Sequence, residues 1–449
     1  MTDVVIVGAG VTGLAAGMSS GAPIYEQSDG PGGICRSYYV RPGDDTRFDH
    51  APSDGNAYRF ELGGGHWIFG GDADVLARLI ELVPFTRYRR RAAVRLAALG
   101  ATIPYPLQDH VDMLGLELSH QIAHERSAVP ACPGEPATLR AWLKQAFGAT
   151  LCELFFFPFH ERYTAGLCDL VAPEDGYKSP ALPVTSRSFA GGGLARPAGY
   201  NADFCYPEGG LDELVAAMAA RCDVRYGRRL VGIDRFSRTM QFADGTEREY
   251  ETLVSTLPLD RVIELADLEV EQPSDPFTSV LVLNIGAERG RNCPQLHWQY
   301  EPDACSGFHR IGFYSGVDQS FLPRQHRAAG RHVSLYVERA FRAGEAPSTA
   351  ELAHYVDAAV GELQGRGYIN ATEVVDPSWV EVAYTWRRPG SDWREKALAD
   401  LAADGIHQVG RYGRWHFQGI ADSVRDGLAL GARSATLRAP RPSPESHAQ

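Results

Sequence analysis

Val4-Val5-Ile6-Val7-Gly8-Ala9-Gly10-Val11-Thr12-Gly13 opens the chain and leaves it few ways to fold. The β-branched apolar run suits a buried strand. It enters a G-x-G-x-x-G turn, after which Leu14, Ala15 and Ala16 continue a helix. In that strand–turn–helix context each glycine has a task. Gly8 permits the tight turn, Gly10 lets the backbone approach a pyrophosphate, and Gly13 lets helix and strand pack closely. The helix N-terminus then faces the phosphates. Glu26 ends the next apolar segment, Ala22-Pro23-Ile24-Tyr25, and is placed to accept from a ribose hydroxyl. The expectation is an α/β chain built on a Rossmann-like, dinucleotide-binding sheet.

A second loop follows at once, Gln27-Ser28-Asp29-Gly30-Pro31-Gly32-Gly33-Ile34-Cys35-Arg36-Ser37. An acid followed by Gly-Gly-x-x-Arg-Ser resembles the FAD-binding start of the amine oxidase and sugar-nucleotide mutase flavoproteins. On that resemblance Gly32 and Gly33 keep side chains away from the flavin's pyrophosphate and ribityl chain, and Arg36 neutralises phosphate charge. An NAD-only domain has no need of this loop. The crossover to Glu26 is shorter than the usual spacing of about 20 residues and contains Gly17 and Gly21.

A length of 449 residues allows about two or three domains. Hydrophobic content of 44% and charged content of 22% are those of a soluble globular protein. No apolar run approaches a membrane span, and Leu154-Phe155-Phe156-Phe157-Pro158-Phe159 is broken by proline. The chain enters a strand without a signal-peptide pattern. Its eight cysteines (35, 132, 152, 168, 205, 222, 293 and 305) lack metal spacing. Reduced thiols, a cytoplasmic setting and no metal are therefore expected. A formal charge of −12 argues against nucleic acid as a partner, and any anionic substrate needs a local cluster of Arg and Lys.

Three regions are expected. Residues 1–107, 205–265 and 400–438 read as a discontinuous FAD-binding domain. Residues 108–176 turn helical, with the stripe Leu139, Trp142, Leu143, Ala146 and Phe147. Residues 177–204 and 266–399 read as an antiparallel sheet domain, with strands at 277–286, 309–315 and 332–340 and a helix at 350–363. Gly209-Gly210 precedes a helix from Leu211 to Ala220, and Asp244-Gly245 marks a hairpin. Residues 439–449 read as a disordered tail.

Four further segments carry a more specific likeness. They are Leu62-Gly63-Gly64-Gly65-His66-Trp67-Ile68-Phe69, Ile103-Pro104-Tyr105-Pro106-Leu107-Gln108, His297-Trp298-Gln299-Tyr300 with Arg310 downstream, and Gly410-Arg411-Tyr412-Gly413-Arg414-Trp415. In this order and separation they resemble the UDP-galactopyranose mutases, particularly the eukaryotic-type branch. The resemblance runs from Val4 to about Ala435 and is patchy in the helical region. It implies interconversion of pyranose and furanose forms of a nucleotide-linked hexose. The reduced flavin's N5 attacks the anomeric carbon, the diphosphate leaves, and the adduct opens and recloses. A reductant, NAD(P)H or a reductase, and a nucleotide sugar are the implied partners, and an oligomer is compatible with it.

By the same resemblance Gly64, Gly65 and His66 lie against the flavin's reactive face. Arg310 forks the diphosphate and stabilises it as it leaves. Trp298 and Tyr300 share one strand face toward diphosphate and sugar. Tyr105, Gln108 and Phe155 line the uracil pocket, and Asn201 lies on the sugar side. Arg411 meets the FAD pyrophosphate, and Gly419 to Ser423 form the last flavin loop.

The sequence departs from that pattern around the nucleotide. Lys178 stands where a second diphosphate arginine is expected, so it substitutes as a point charge or the contact is lost. Phe417 replaces a diphosphate tyrosine and cannot donate. Near 384–389 either Tyr384 is displaced in register or Arg387 or Arg388 takes over. His160 and Thr164 stand where the family prefers asparagine and tryptophan. A larger base pocket, and so a GDP-hexose such as GDP-galactose, is one reading, and a UDP-sugar is the other. An FAD-dependent amine oxidase or desaturase is the alternative enzyme. It shares the glycine-rich start, Arg36 and the segment Phe204 to Gly210.

Overall fold

The computed structural model describes residues 4–70, 72–127, 136–173 and 202–437, with side chains to residue 430. The expected tail lies outside the described residues. The strand Val4–Val7 sits in a five-stranded parallel sheet. Across the sheet the order is Val224–Arg225, Ile24–Tyr25, Val4–Val7, Thr252–Ser255 and Ile406–Gln408. The chain therefore returns to this sheet four times after leaving its first strand. The helix Val11–Ser20 buries Val11 to Gly17 and ends at Gly21, where φ is 70°. It packs against the C-terminal helix Ile420–Leu437 and the helix Leu211–Ala219.

A second sheet has seven strands. Its order is Ile369–Thr385, Phe277–Arg289, His332–Arg342, Arg310–Gly312, Trp298–Tyr300, Ala92–Leu96 and Ala101–Pro104. All neighbours are antiparallel except Trp298–Tyr300 with Ala92–Leu96. Side chains alternate across it. Leu281, Leu283 and Ile285 pack under the helix Thr349–Gly365 through Tyr355, Ala359 and Leu363. That helix starts at a capping box of Ser348 and Glu351. Val280, Val282 and Tyr336 face the opposite way, into the core shared with Trp67 and Tyr206.

The helical region packs on the far end of this sheet. Helices Leu116–Ser127 and Leu139–Leu151, a π-helical turn Cys152–Phe156 and the helix Phe157–Tyr163 enclose Leu143, Phe147, Phe155, Phe156 and Phe159. The Asp244-Gly245 hairpin joins Thr239–Phe242 to Glu247–Glu249. One segment departs from expectation. Residues 92–104, assigned from the sequence to the FAD-binding region, pair into the seven-stranded sheet. Among the described residues no helix is long and apolar enough to cross a membrane. The seven described cysteines are free thiols.

Candidate active site

The two sheets meet around a cavity of about 790 Å³. One wall is mostly backbone. Gly8, Gly10, Thr12, Gly32, Gly33 and Cys35 line it, with Gly419, Ile420 and Ser423 from the start of the last helix. Strain-free packing here requires glycine at one position above all: a Cβ on Gly13 would lie 1.8 Å from the Gly8 carbonyl oxygen. Gly13 thus holds the turn from behind. Gly10 differs, because a Cβ there would meet nothing within 4 Å and would project into open space. The two glycine loops are joined, since Gly32 N–H donates to the Ala9 carbonyl at 2.8 Å. Glu26 is buried at the end of this wall. Its Oε2 accepts from Ala9 N–H at 2.7 Å and its Oε1 from Ser28 N–H at 2.9 Å. Each oxygen keeps a lone pair for a further donor.

The opposite wall is made of side chains. Trp298 and Tyr300 share a strand face and line the cavity, while Gln299 turns away to Glu301 and Tyr368. Tyr105 packs on Tyr300 with ring centroids 4.6 Å apart. Arg310 is held by Glu338 through two bonds, Nε to Oε2 at 2.8 Å and Nη2 to Oε1 at 2.5 Å. His309 Nε2 lies 3.4 Å from the same carboxylate. Burial alone would raise the Glu338 carboxyl, but Arg310 and His309 hold it well below the carboxylate range. Tyr384, Arg411 and Phe417 complete the wall, with the Arg411 guanidinium 4.2 Å from the Phe417 ring centre.

Between the walls runs the loop Gly63 to His66. A Cβ on Gly65 would lie 2.0 Å from the Tyr336 hydroxyl, and one on Gly64 would lie 2.7 Å from Glu338 Oε1. The loop is therefore pressed onto the strand that carries Glu338. Burial, with the Arg411 guanidinium nearby, holds the His66 imidazole down at about 4, so the ring is neutral at pH 7. Behind the loop, Glu61 accepts from Ser37 Oγ at 2.9 Å and from the Tyr206 hydroxyl. Its burial pushes the carboxyl up to about 8.

The cavity thus gathers Gly8, Gly10, Glu26, Gly32, Gly33, Gly65, His66, Tyr105, Trp298, Tyr300, Arg310, Arg411, Phe417, Gly419 and Ser423. Gly13 and Gly64 support it from behind. Several expected residues are elsewhere. Arg36 turns to Asp49 at 2.7 Å and Asp29 at 3.7 Å, away from the cavity lining. Gln108 is buried in the turn Leu107–Asp109. Phe155 stacks on Phe159 inside the helical core. His160 Nδ1 meets the Phe156 carbonyl at 2.7 Å, and Thr164 Oγ1 donates to the His160 carbonyl at 2.7 Å. None of these five lines the cavity. Near 384–389, Tyr384 is the residue on the cavity, while Arg387 holds the Ser391 carbonyl and Arg388 the Ser274 carbonyl. Lys178 and Asn201 lie outside the described residues.

Glu338, Tyr336 and Glu61 escaped the sequence reading. A signal for Glu338 was present, because an acid directly follows the mostly apolar run Val333 to Val337; in the structure it is 1% exposed. Such a buried acid requires a cation, and Arg310 is that cation.

A cradle of glycine backbone, an acid at its ribose end and a helix N-terminus fit a flavin dinucleotide. A model of the flavin-containing amine oxidoreductases matches residues 22–430. The chain belongs to this family. No curated protein matches it in sequence. Its fold is similar to that of a reduced UDP-galactopyranose mutase, over 98% of this chain and 97% of that one, with a TM-score of 0.80 and 21% identity. It is also similar to an oxidoreductase from Methanosarcina mazei (96% and 99% covered, TM-score 0.61, 14% identity). A redesigned putrescine oxidase follows (97% and 99% covered, TM-score 0.58, 14% identity). At these identities the likeness is one of fold.

Proposed function

We propose that this flavoprotein is a mutase that interconverts pyranose and furanose forms of a nucleoside-diphosphate hexose. One observation carries the reading. Trp298, Tyr300 and Arg310 stand together across a single cavity from the flavin cradle, with the Gly63–His66 loop between them. When bound and reduced, the flavin supplies the nucleophile, so the protein needs no strong base of its own. Gly10, Gly33, Glu26 and Ser423 would hold its dinucleotide part. His66, neutral at pH 7, adds a polar edge without a competing charge. Arg310 binds the diphosphate with the N–H groups that Glu338 leaves unused, and the bidentate pair fixes the plane of its fork. Arg411 adds a second positive charge to the cavity, toward the FAD pyrophosphate. Tyr384 stands where Phe417 lacks a hydroxyl. Trp298 and Tyr300 hold the sugar and exclude water.

The nucleotide is either UDP or GDP. Thr164 packs against its own helix, so a missing tryptophan there does not by itself enlarge the cavity. An external reductant is part of the proposal. The test is product analysis with the dithionite-reduced protein, offered UDP-galactose and a panel of GDP-hexoses, against the oxidised protein. A furanose product only after reduction is the expected result, and the kcat/KM values rank the nucleotides. Family membership favours a second reading, an amine oxidase. Amine-dependent hydrogen peroxide without isomerisation would establish that reading and reject the mutase.

A further inference from the structure

Away from the cavity, three segments bring metal-ligating side chains to one point. His326 closes the turn Arg324–His326, His332 opens the strand His332–Arg342, and Glu373 lies on the strand Ile369–Thr385. His326 Nε2 is 3.3 Å from Glu373 Oε2, and His332 Nε2 is 3.4 Å from Glu373 Oε1. The two imidazoles stack with centroids 3.5 Å apart and planes 20° from parallel. Their side chains are 14% and 15% exposed.

Hydrogen bonding satisfies this arrangement only in part. His326 Nε2 is buried without a hydrogen-bond partner, although Glu373 is beside it. Two imidazolium rings stacked this closely would repel, and two neutral rings keep a nitrogen lone pair each, whichever nitrogen carries the proton. A divalent ion would take a lone pair from each ring and the carboxylate charge at one point. Four-coordinate zinc has bonds of about 2.0–2.1 Å to imidazole nitrogen and carboxylate oxygen. Tetrahedral geometry then sets ligand atoms about 3.3 Å apart; here one ligand atom from each of the three residues lies within 4.8 Å of the others, and each nitrogen is 3.3 or 3.4 Å from one of the two Glu373 oxygens. The carboxylate also has an outer partner, since the Tyr58 hydroxyl donates to Glu373 Oε2 at 2.5 Å. Ligands of catalytic and structural ions are ordinarily oriented in this way.

We infer that His326, His332 and Glu373 form a binding site for a divalent first-row cation of the zinc class. Two imidazoles and one carboxylate suit Zn2+, with a fourth position for water. The ion ties the Arg324–His326 turn to two strands of the seven-stranded sheet. None of the three ligands lines the flavin cavity, so the site acts on stability and not on the reaction centre.

The full chain with its flavin bound, stripped with a chelator and titrated with Zn2+ alone, tests this. Dialysis with elemental analysis is expected to find a saturable Zn2+ site with one ion per chain, and Zn2+ is expected to raise the Tm. Binding is lost in the double variant His326→Gln/His332→Gln, whereas Tyr58→Phe keeps the ligands and weakens affinity about ten-fold or more. Co2+ in the unaltered protein gives an independent reading, expected to show the intense d–d bands of four- or five-coordinate ligation. Absence of saturable Zn2+ binding and of Co2+ bands overturns the site. Full binding in the double variant does so as well, because it places the ion elsewhere.

Discussion

The two walls of the cavity are held by different physics. The dinucleotide wall is backbone, shaped by positions where a single methyl group collides with a neighbouring carbonyl. The facing wall is aromatic rings and a paired arginine, shaped by side-chain charge and packing. A backbone wall recognises what every dinucleotide shares. A side-chain wall can be re-edited residue by residue, and the departures around Phe417 and Tyr384 fall there. The first wall therefore defines a flavoprotein, and the second defines which flavoprotein.

The sharpest break in that comparison is at two glycines of one motif. Gly13→Ala forces a contact of 1.8 Å onto the Gly8 carbonyl. It is expected to destabilise the fold by more than about 4 kcal/mol and to abolish flavin retention. Gly10→Ala meets no protein atom within 4 Å. Its apo form should melt within about 0.5 kcal/mol of the parent, yet lose most of its flavin. Flavin-to-protein absorbance and thermal melting separate the two, and equal melting losses would contradict the wall as drawn.

On the side-chain wall, Glu338→Ala strands the Arg310 charge and should cost about 3–5 kcal/mol. Because the Glu338 carboxyl is depressed in the folded protein, the stability it contributes is present above its ordinary value of 4.5 and is lost as pH falls below it. The variant should lack that acid-side loss, as urea melts at stepped pH would show.

Glu61, beneath the loop that joins the walls, has the opposite sign. Its folded value is raised to about 8, so its contribution is full below pH 4.5 and fades as pH rises through 8. Glu61→Gln should flatten the fall in Tm across that window. An unchanged slope would remove Glu61 from the account.

The smallest effect sharpens the boundary of the site. Phe155→Leu, in the helical core, should cost about 1 kcal/mol and leave the KM for nucleotide sugar unchanged. A ten-fold rise in KM would return Phe155 to the pocket.

The dinucleotide wall was legible because its signals are local. A strand, a turn and a helix adjoin in sequence, and period-2 alternation placed Trp298 and Tyr300 together. Failures arose where direction depends on distant pairing or altered helical phase. Residues 92–104 join a sheet whose partner strand is Trp298–Tyr300, which no local pattern encodes. Gly148 breaks the helix Leu139–Leu151 at φ 82°, and a π-helical turn follows at Cys152–Phe156. Together they rotate Phe155 and His160 relative to a 3.6-residue period. Arg36 reads as a phosphate ligand, yet Asp49 and Asp29 flank it in space.

The central claim is that the side-chain wall holds a nucleotide sugar against a flavin held by the backbone wall, in one cavity. Titration of the flavin absorbance with UDP-galactose and GDP-hexoses tests it most directly, in the parent and in Arg310→Ala with flavin retained. A saturable spectral change in the parent, weakened at least about 100-fold in the variant, is the predicted result. A spectrum indifferent to every nucleotide sugar, in a protein whose flavin is reduced by amines, would contradict it.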